Sequence, residues 1–188
     1  MKIVVGITGA SGSIYAYTLI RALHQLNIET YVIATEMAKK VMKFECGITM
    51  NEIKAYAEVL DNGNLFASVA SGSFKTDGMV ILPCSMNSLG AIANGVGDTL
   101  LSRTASVMLK EKRRLIVVPR ETPLHLIHLE NMTRLARAGA DIMPASPGFY
   151  HHPTEIWELV NFVIARILDA LNIDHQLMAR WGEKAVEK

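Results

Sequence analysis

Only two cysteines, Cys46 and Cys84, occur in 188 residues, and they do not form a CxxC pair. That excludes a disulfide framework and a cysteine-held zinc, and it suits a reducing cytoplasm. No charge of one sign dominates: nineteen Lys and Arg oppose eighteen Asp and Glu, a formal net charge of +1. Without a long basic run there is no electrostatic footprint for a phosphate backbone, so nucleic acid is not an expected partner. Long hydrophobic runs are also missing. The first apolar stretch, Ile3 to Ile7, runs into Thr8 and glycines, too short for a secretory core or a membrane span. With 50% apolar and 20% charged residues, what remains is an ordinary soluble globular chain long enough for a substantial core.

What is present is a repeating alternation of strand and helix. Met1 to Thr8 is a β-branched run, and its unbroken apolar character predicts a central strand covered on both faces. Gly9-Ala10-Ser11-Gly12 ends it, and Tyr15, Leu19, Leu23 and Leu26 follow at helical spacing. Glu29 to Ala34 reads as a second strand and 36 to 45 as a helix, whereas the polar stretch 51 to 64 carries no clear period. Gly78 to Leu82 is the next buried strand, which Pro83 is expected to stop because it lacks a ladder N–H. Helices are predicted over 88 to 94 and 99 to 110, with Gly95-Val96-Gly97-Asp98 as the bend between them. Strand 114 to 118, helix 124 to 138 and a short strand 140 to 143 complete the series. Together they predict an α/β fold with a single doubly wound, mostly parallel sheet. Thr154 is the expected cap of a last helix, whose apolar stripe runs from Ile156 to Leu171. Residues 1–172 are expected to form one α/β domain and 173–188 a tail packing at a subunit interface.

In such a sheet ligands collect beyond the carboxyl ends of the strands, and the small and hydroxylated residues fall there. Gly9, Ala10 and Ser11 offer amides and a hydroxyl to a phosphate or a flavin ring, and Ser85, Ser88 and Thr35 do the same after other strands. A helix cap with no ligand is the plain alternative for Ser11. The spacing Gly6, Gly9, Gly12 is weaker than a dinucleotide fingerprint and has no Walker lysine. A mononucleotide such as FMN asks less of these loops than NAD. Cys84 reads more readily as an inert buried thiol than as a nucleophile. Pro119 to Pro123 fixes Arg120 and Glu121 in one loop, where Glu121 can move protons if a closed apolar pocket surrounds it. Arg103, Lys110, Arg120 and Arg166 are candidate phosphate cations, with the Tyr150 phenol as a further donor. His125 with His128 and the adjacent His151 and His152 form no metal-ligand pattern, so no metal site is expected.

The ordered series ITGASG (Ile7–Gly12), PCS (Pro83–Ser85), LKE (Leu109–Glu111), VPRETP (Val118–Pro123), HLENM (His128–Met132), PASPGFYHHP (Pro144–Pro153) and RWGE (Arg180–Glu183) resembles the flavin prenyltransferase family, formerly called phenylacrylic or aromatic acid decarboxylases. The resemblance runs nearly end to end. It implies a flavodoxin-like Rossmann fold and transfer of the dimethylallyl group of dimethylallyl monophosphate to reduced FMN, metal-independently, giving prenylated FMN. In that chemistry N5 makes the first bond and C6 closes the new ring, while a phosphate clamp stabilises the leaving group. The resemblance assigns Gly9, Ala10, Ser11, Thr35, Ser85, Ser88 and Arg120 to the flavin, and Lys110, Arg120, Tyr150 and Arg166 to the prenyl phosphate. Glu121, aided by Ser11, is the expected proton-moving pair. It further implies a homododecamer whose pockets form between subunits, and delivery of the product to a prenylated-FMN-dependent decarboxylase. An FMN-dependent cysteine or peptide decarboxylase and a non-enzymatic FMN-binding assembly protein are the alternatives.

Overall fold

The apolar run Lys2–Ile7 forms β1, and it lies in the middle of a six-stranded, wholly parallel sheet. The structure is a computed structural model that describes residues 1–178 and 180–182. The other strands are β2 (Glu29–Ala34), β3 (Glu58–Leu60), β4 (Gly78–Cys84), β5 (Arg114–Pro119) and β6 (Asp141–Ile142), in the order β3-β2-β1-β4-β5-β6. This is the doubly wound Rossmann order. Without the three-residue edge strand β3 it is the five-strand flavodoxin order, so the predicted fold class holds.

Strand alternation sorts the core into two faces. Val4, Tyr31, Ile33, Met79, Ile81, Leu115 and Val117 join one apolar cluster with residues of α4 (Met86–Ala93) and α5 (Leu100–Lys110). On the other face α1 (Ser13–Gln25) packs over β1, β2 and β4 through Leu19, Ile20 and Leu23, flanked by α2 (Glu36–Cys46). Because β1 lies between strands reached by leftward and rightward connections, the sheet's switch point falls between β1 and β4.

Two local expectations are corrected, and one unassigned stretch is filled. Pro83 does not end β4: the strand runs on to Cys84, which pairs with Pro119 after a register shift past Ile81. A bulge absorbs the missing donor, as edge and bulge positions allow. The polar stretch 51–64, to which the sequence assigns no element, includes most of the one-turn α3 (Met50–Ile53) and all of β3. The last helix, α7 (Ile156–Ala170), is capped one residue later than expected, at Glu155 rather than Thr154. The Glu158 carboxylate reaches back to the amides of Thr154 and Glu155 at 2.7 and 2.9 Å, the return half of a capping box.

The chain divides into two compact units, Met1–Pro144 and a second from Ala145 onward. The division falls inside the proline-rich segment, whereas the sequence reading put its boundary at residue 172. Ala179 and residues 183–188 of the expected tail, including Glu183 of RWGE, lie outside the described residues. In the first unit α6 (Leu126–Arg137) fully buries only Leu135 and leaves Leu126, Ile127 and Leu129 exposed. Among the described residues no helix is long and apolar enough to cross a membrane.

Candidate functional site

The loops after β1 and β4 are latched together by a residue the sequence reading passed over. Thr8 is fully buried; its hydroxyl donates to the Pro83 carbonyl at 2.8 Å and accepts the Ser85 amide at 2.6 Å. Ser85 then caps α4, accepting the Ser88 amide at 3.4 Å and donating to the Ser88 hydroxyl at 3.1 Å. Thr35 likewise caps α2 by accepting the Ala38 amide at 3.1 Å. Capping does not exclude binding here, because accepting an amide leaves the Thr35 O–H to donate, and Ser88, which accepts from the Ser85 hydroxyl, keeps its own O–H at a helix entrance. Gly9 is fixed by crowding: a Cβ there would lie 2.5 Å from Met37 Cγ. Gly12, not Ser11, occupies the cap position of α1, at φ 104°, so the plain capping alternative for Ser11 falls.

At the α1 entrance the amides of Gly12 and Ser13 are not open to a ligand phosphate. Glu45, in the last turn of α2, accepts the Gly12 and Ser13 amides at 3.0 and 3.1 Å and also engages the Ser11 hydroxyl. Partial burial pushes the pKa of Glu45 up, but these hydrogen bonds outweigh it and hold the carboxyl below its ordinary value. The buried Ser13 hydroxyl adds to the same effect, although it reaches no hydrogen-bonding geometry. The protein's own anion thus neutralises the α1 N-terminus. The loop Gly9–Gly12 therefore offers a neutral, low-relief surface better matched to a ring than to a phosphate.

An open anion cradle lies beside it. A cavity of about 210 Å³ is lined by Thr35, Asn87, Ser88, Asp98, Thr99 and Ser102, so the entrances of α2, α4 and α5 converge on one space. Thr99 accepts the Ser102 amide at 3.3 Å, and Ser102 donates to Asp98 at 3.4 Å. Three helix N-termini attract a phosphate, while the short hydroxyls, Asn87 and the Asp98 carboxylate match a polyol chain. A phosphorylated ribityl group fits this donor and acceptor set. Thr35 and Ser88 are legible in the sequence as hydroxyls at strand ends, whereas the glycine segment before Thr99 reads there as a simple bend. The signal was the Thr99-x-x-Ser102 cap immediately after Asp98. Two larger clefts, of about 450 and 630 Å³, have other linings: one among Lys112, Arg113, Arg114 and Arg137, the other along α6.

Arg120 leaves β5 with its amide on the Cys84 carbonyl at 3.2 Å, which brings it to the same end of the sheet. Its guanidinium is near enough to Tyr15 to oppose the rise that burial imposes on that phenol. Glu121 is exposed in the single chain, its carboxylate accepting the Thr122 amide at 3.0 Å, so the closed apolar surround that its role requires is not supplied within one subunit. Lys110 stands apart. It ends α5, whose first turn borders the cradle, so the helix length of about 16 Å carries it to the opposite end of the sheet. There it pairs with Glu111 beside Gly72, and one chain does not bring it to Arg120. Arg103 is turned to the Ala70 carbonyl at 3.3 Å.

Tyr150 and Arg166 do share a cavity, about 320 Å³ within the second unit, which Phe162, Asp169, Arg180 and Trp181 also line. The Tyr150 ring meets Phe162 and Trp181 edge to face at 5.7 and 5.2 Å. Cys84 is wholly buried, which pushes its thiol up to about 12 and leaves it unsuited to nucleophilic work. The His125 ring accepts the His128 amide at 3.4 Å as the cap of α6. Among the described residues, no three His, Cys, Asp or Glu side chains gather in a metal-ligating group.

Comparison with known proteins supplies three findings. The flavoprotein family model matches residues 1–168. The flavin prenyltransferase LpdB of Lactiplantibacillus plantarum is 48% identical over 182 residues, covering 96% of this chain and 97% of its own. Among solved structures, AnUbiX (PadA1) in complex with FMN and dimethylallyl pyrophosphate superposes with a TM-score of 0.95 at 43% identity, covering 96% of this chain and 97% of that one. A dodecameric FMN-dependent UbiX-like decarboxylase from Escherichia coli O157:H7 gives 0.94 at 41%, over 96% and 99% of the two chains.

Proposed function

The chain belongs to the flavin prenyltransferase family, and from that premise we propose that it joins the dimethylallyl group of dimethylallyl monophosphate to N5 and C6 of reduced FMN and releases phosphate. The observation that carries this reading is the hydroxyl-lined cradle at three helix entrances beside the β1/β4 switch point. The FMN phosphate and ribityl chain lie against Thr35, Ser88 and their neighbours. The ring would lie along Gly9–Ser11, beside the Met37 side chain that packs against Gly9 and where Glu45 has already satisfied the amides of Gly12 and Ser13. Reduced FMN supplies the nucleophilic nitrogen and the ring carbon that receive the prenyl group.

The chain's own residues do the rest. Tyr150 donates a hydrogen bond and Arg166 a charge-assisted one to the prenyl phosphate, which lowers the cost of the C–O bond breaking toward it. Arg120, beside Tyr15 at the strand ends, serves flavin and prenyl phosphate alike. Lys110 reaches a phosphate only from a second copy, because its own α5 carries it away from the cradle. A homo-oligomer follows, as in the dodecameric relative. Within it Glu121 is covered by a neighbouring subunit, and with Ser11 it moves the proton that ring closure displaces. The product passes to a decarboxylase that uses prenylated FMN.

The test is an anaerobic incubation of the protein with reduced FMN and dimethylallyl monophosphate, followed by mass spectrometry of the extracted flavin. A flavin heavier by one dimethylallyl unit, with stoichiometric phosphate, is the expected result. Unaltered FMN retained by the protein would make it a binding or assembly protein instead.

A further inference from the structure

The three helix entrances around the cradle are not equivalent. The first amides of a helix have no partner within it and take one from outside. At α5 the chain itself supplies every partner. The Leu100 amide donates to the Asn62 carbonyl at 2.8 Å, the Leu101 amide to Asn62 Oδ1 at 3.0 Å and the Ser102 amide to Thr99 Oγ1 at 3.3 Å. At α2 and α4 only the third amide is covered, that of Ala38 by Thr35 and that of Ser88 by Ser85. Among the described residues, the amides of Glu36, Met37, Met86 and Asn87 have no acceptor. Asp98 adds a second difference. Its exposed carboxylate lines the cradle beside α5, and the Ser102 hydroxyl donates to Oδ1 at 3.4 Å. Among the described residues no cation pairs with it, so Oδ2 keeps its full acceptor capacity.

We propose that the cradle has a direction: the FMN phosphate sits at the α2 and α4 entrances, and Asp98 accepts a hydroxyl of the ribityl chain. Asp98 is then a specificity-determining residue for a phosphorylated polyol. The inference rests on the FMN reading of the cradle. A carboxylate accepts from a hydroxyl in a charge-assisted hydrogen bond but repels a phosphate, which brings no proton to share. The opposite placement would set the phosphate against Asp98, at the one entrance whose amides Asn62 and Thr99 have filled. In the proposed placement the unpartnered amides of α2 and α4 meet the anion, and the lone carboxylate meets a donor. The same carboxylate thus favours the chain and rejects a phosphate in its place, so one side chain supplies both halves of the discrimination.

Asp98→Asn keeps the size and removes the charge, and because Asp98 is exposed the exchange leaves the core untouched. Affinities for riboflavin, lumiflavin and FMN are read by flavin fluorescence, and that for inorganic phosphate by its competition with FMN. Riboflavin, which has the chain without the phosphate, should bind about tenfold more weakly to Asp98→Asn, the scale of one hydrogen bond to a charged group. Lumiflavin, which has the ring without the chain, should bind as it does to the wild type. Inorganic phosphate should bind equally well or more tightly, because a like charge is gone. Ser88→Ala should give the opposite split, weakening phosphate and FMN while riboflavin is little changed. Unchanged riboflavin affinity in Asp98→Asn overturns the proposal, and so does a parallel loss for riboflavin, lumiflavin and phosphate, which marks a merely structural role. If the wild type makes no prenylated flavin but the two variants split as described, the direction of the cradle stands and the transferase reading fails. A protein that makes prenylated flavin without that split keeps the transferase reading and loses the role of Asp98.

Discussion

Glu45 shows how much one side chain decides at the site. It gives the α1 entrance an internal counter-charge and ties down Ser11, one of the two residues proposed to move the proton. Its carboxyl sits below the ordinary value of 4.5 in the folded protein, so the stabilisation it brings is fully present above that value. It is lost as pH falls through the lower, folded-state value. Glu45→Gln should therefore be less stable than the wild type near neutrality, and the gap should close on acidification below about pH 4.5. Thermal melts of both proteins across that range check this, and a gap independent of pH would refute the charge argument. The side chain is largely solvent-facing, so screening keeps the effect modest. Glu121→Gln addresses the other carboxylate. With size kept and the titrating group removed, FMN should remain bound while turnover falls about a hundredfold, the scale of general acid–base assistance. Near-normal formation of prenylated flavin would remove Glu121 from its proposed role. No partner of Glu45 was legible in the sequence, because α1 and β2 separate that carboxylate from Ser11, Gly12 and Ser13.

At the scale of elements, the site depends on how strand ends are joined. The Thr8 hydroxyl bridges the Pro83 carbonyl and the Ser85 amide, so Thr8→Val takes the acceptor from the Ser85 amide at almost unchanged volume, while the Pro83 carbonyl keeps the Thr8 amide at 3.2 Å. The expected loss is about 1–3 kcal/mol of stability together with weaker FMN retention, since Ser85 and Ser88 lose their anchor. Denaturant titration and flavin fluorescence check the two halves of that statement, and full FMN affinity in a destabilised protein would disconnect Thr8 from the cradle. The elements themselves were readable because each buried strand is a continuous apolar run and each long helix has its own period. What escaped were features set by tertiary pairing. β3 has three residues with no apolar repeat and exists because β2 offers it an edge. β4 passes through Pro83 because the register shifts around it. Thr35 and Ser88 were legible as hydroxyls at strand ends, whereas Asp98, Thr99 and Ser102 join them only because α5 starts where α2 and α4 start.

For the molecule as a whole, the proposed residues do not all belong to one place in one chain. Arg120 is at the carboxyl end of the sheet and Lys110 at the other, and no side-chain rotation spans a strand of about 20 Å. The exposed Leu126, Ile127 and Leu129 of α6 give the chain an apolar surface of the kind that subunits cover. If a phosphate site takes Arg120 from one subunit and Lys110 from a neighbour, the two defects are separable between chains. Lys110→Ala alone should impair use of dimethylallyl monophosphate more than FMN retention, and Arg120→Ala should impair both. Co-assembled in equal amounts, the two inactive variants should regain about a quarter of wild-type turnover, because that share of randomly formed interfaces pairs an intact Arg120 with an intact Lys110. Activity that stays at the level of the separate variants, in oligomers shown by native mass spectrometry to contain both chains, would place Lys110 outside the site altogether.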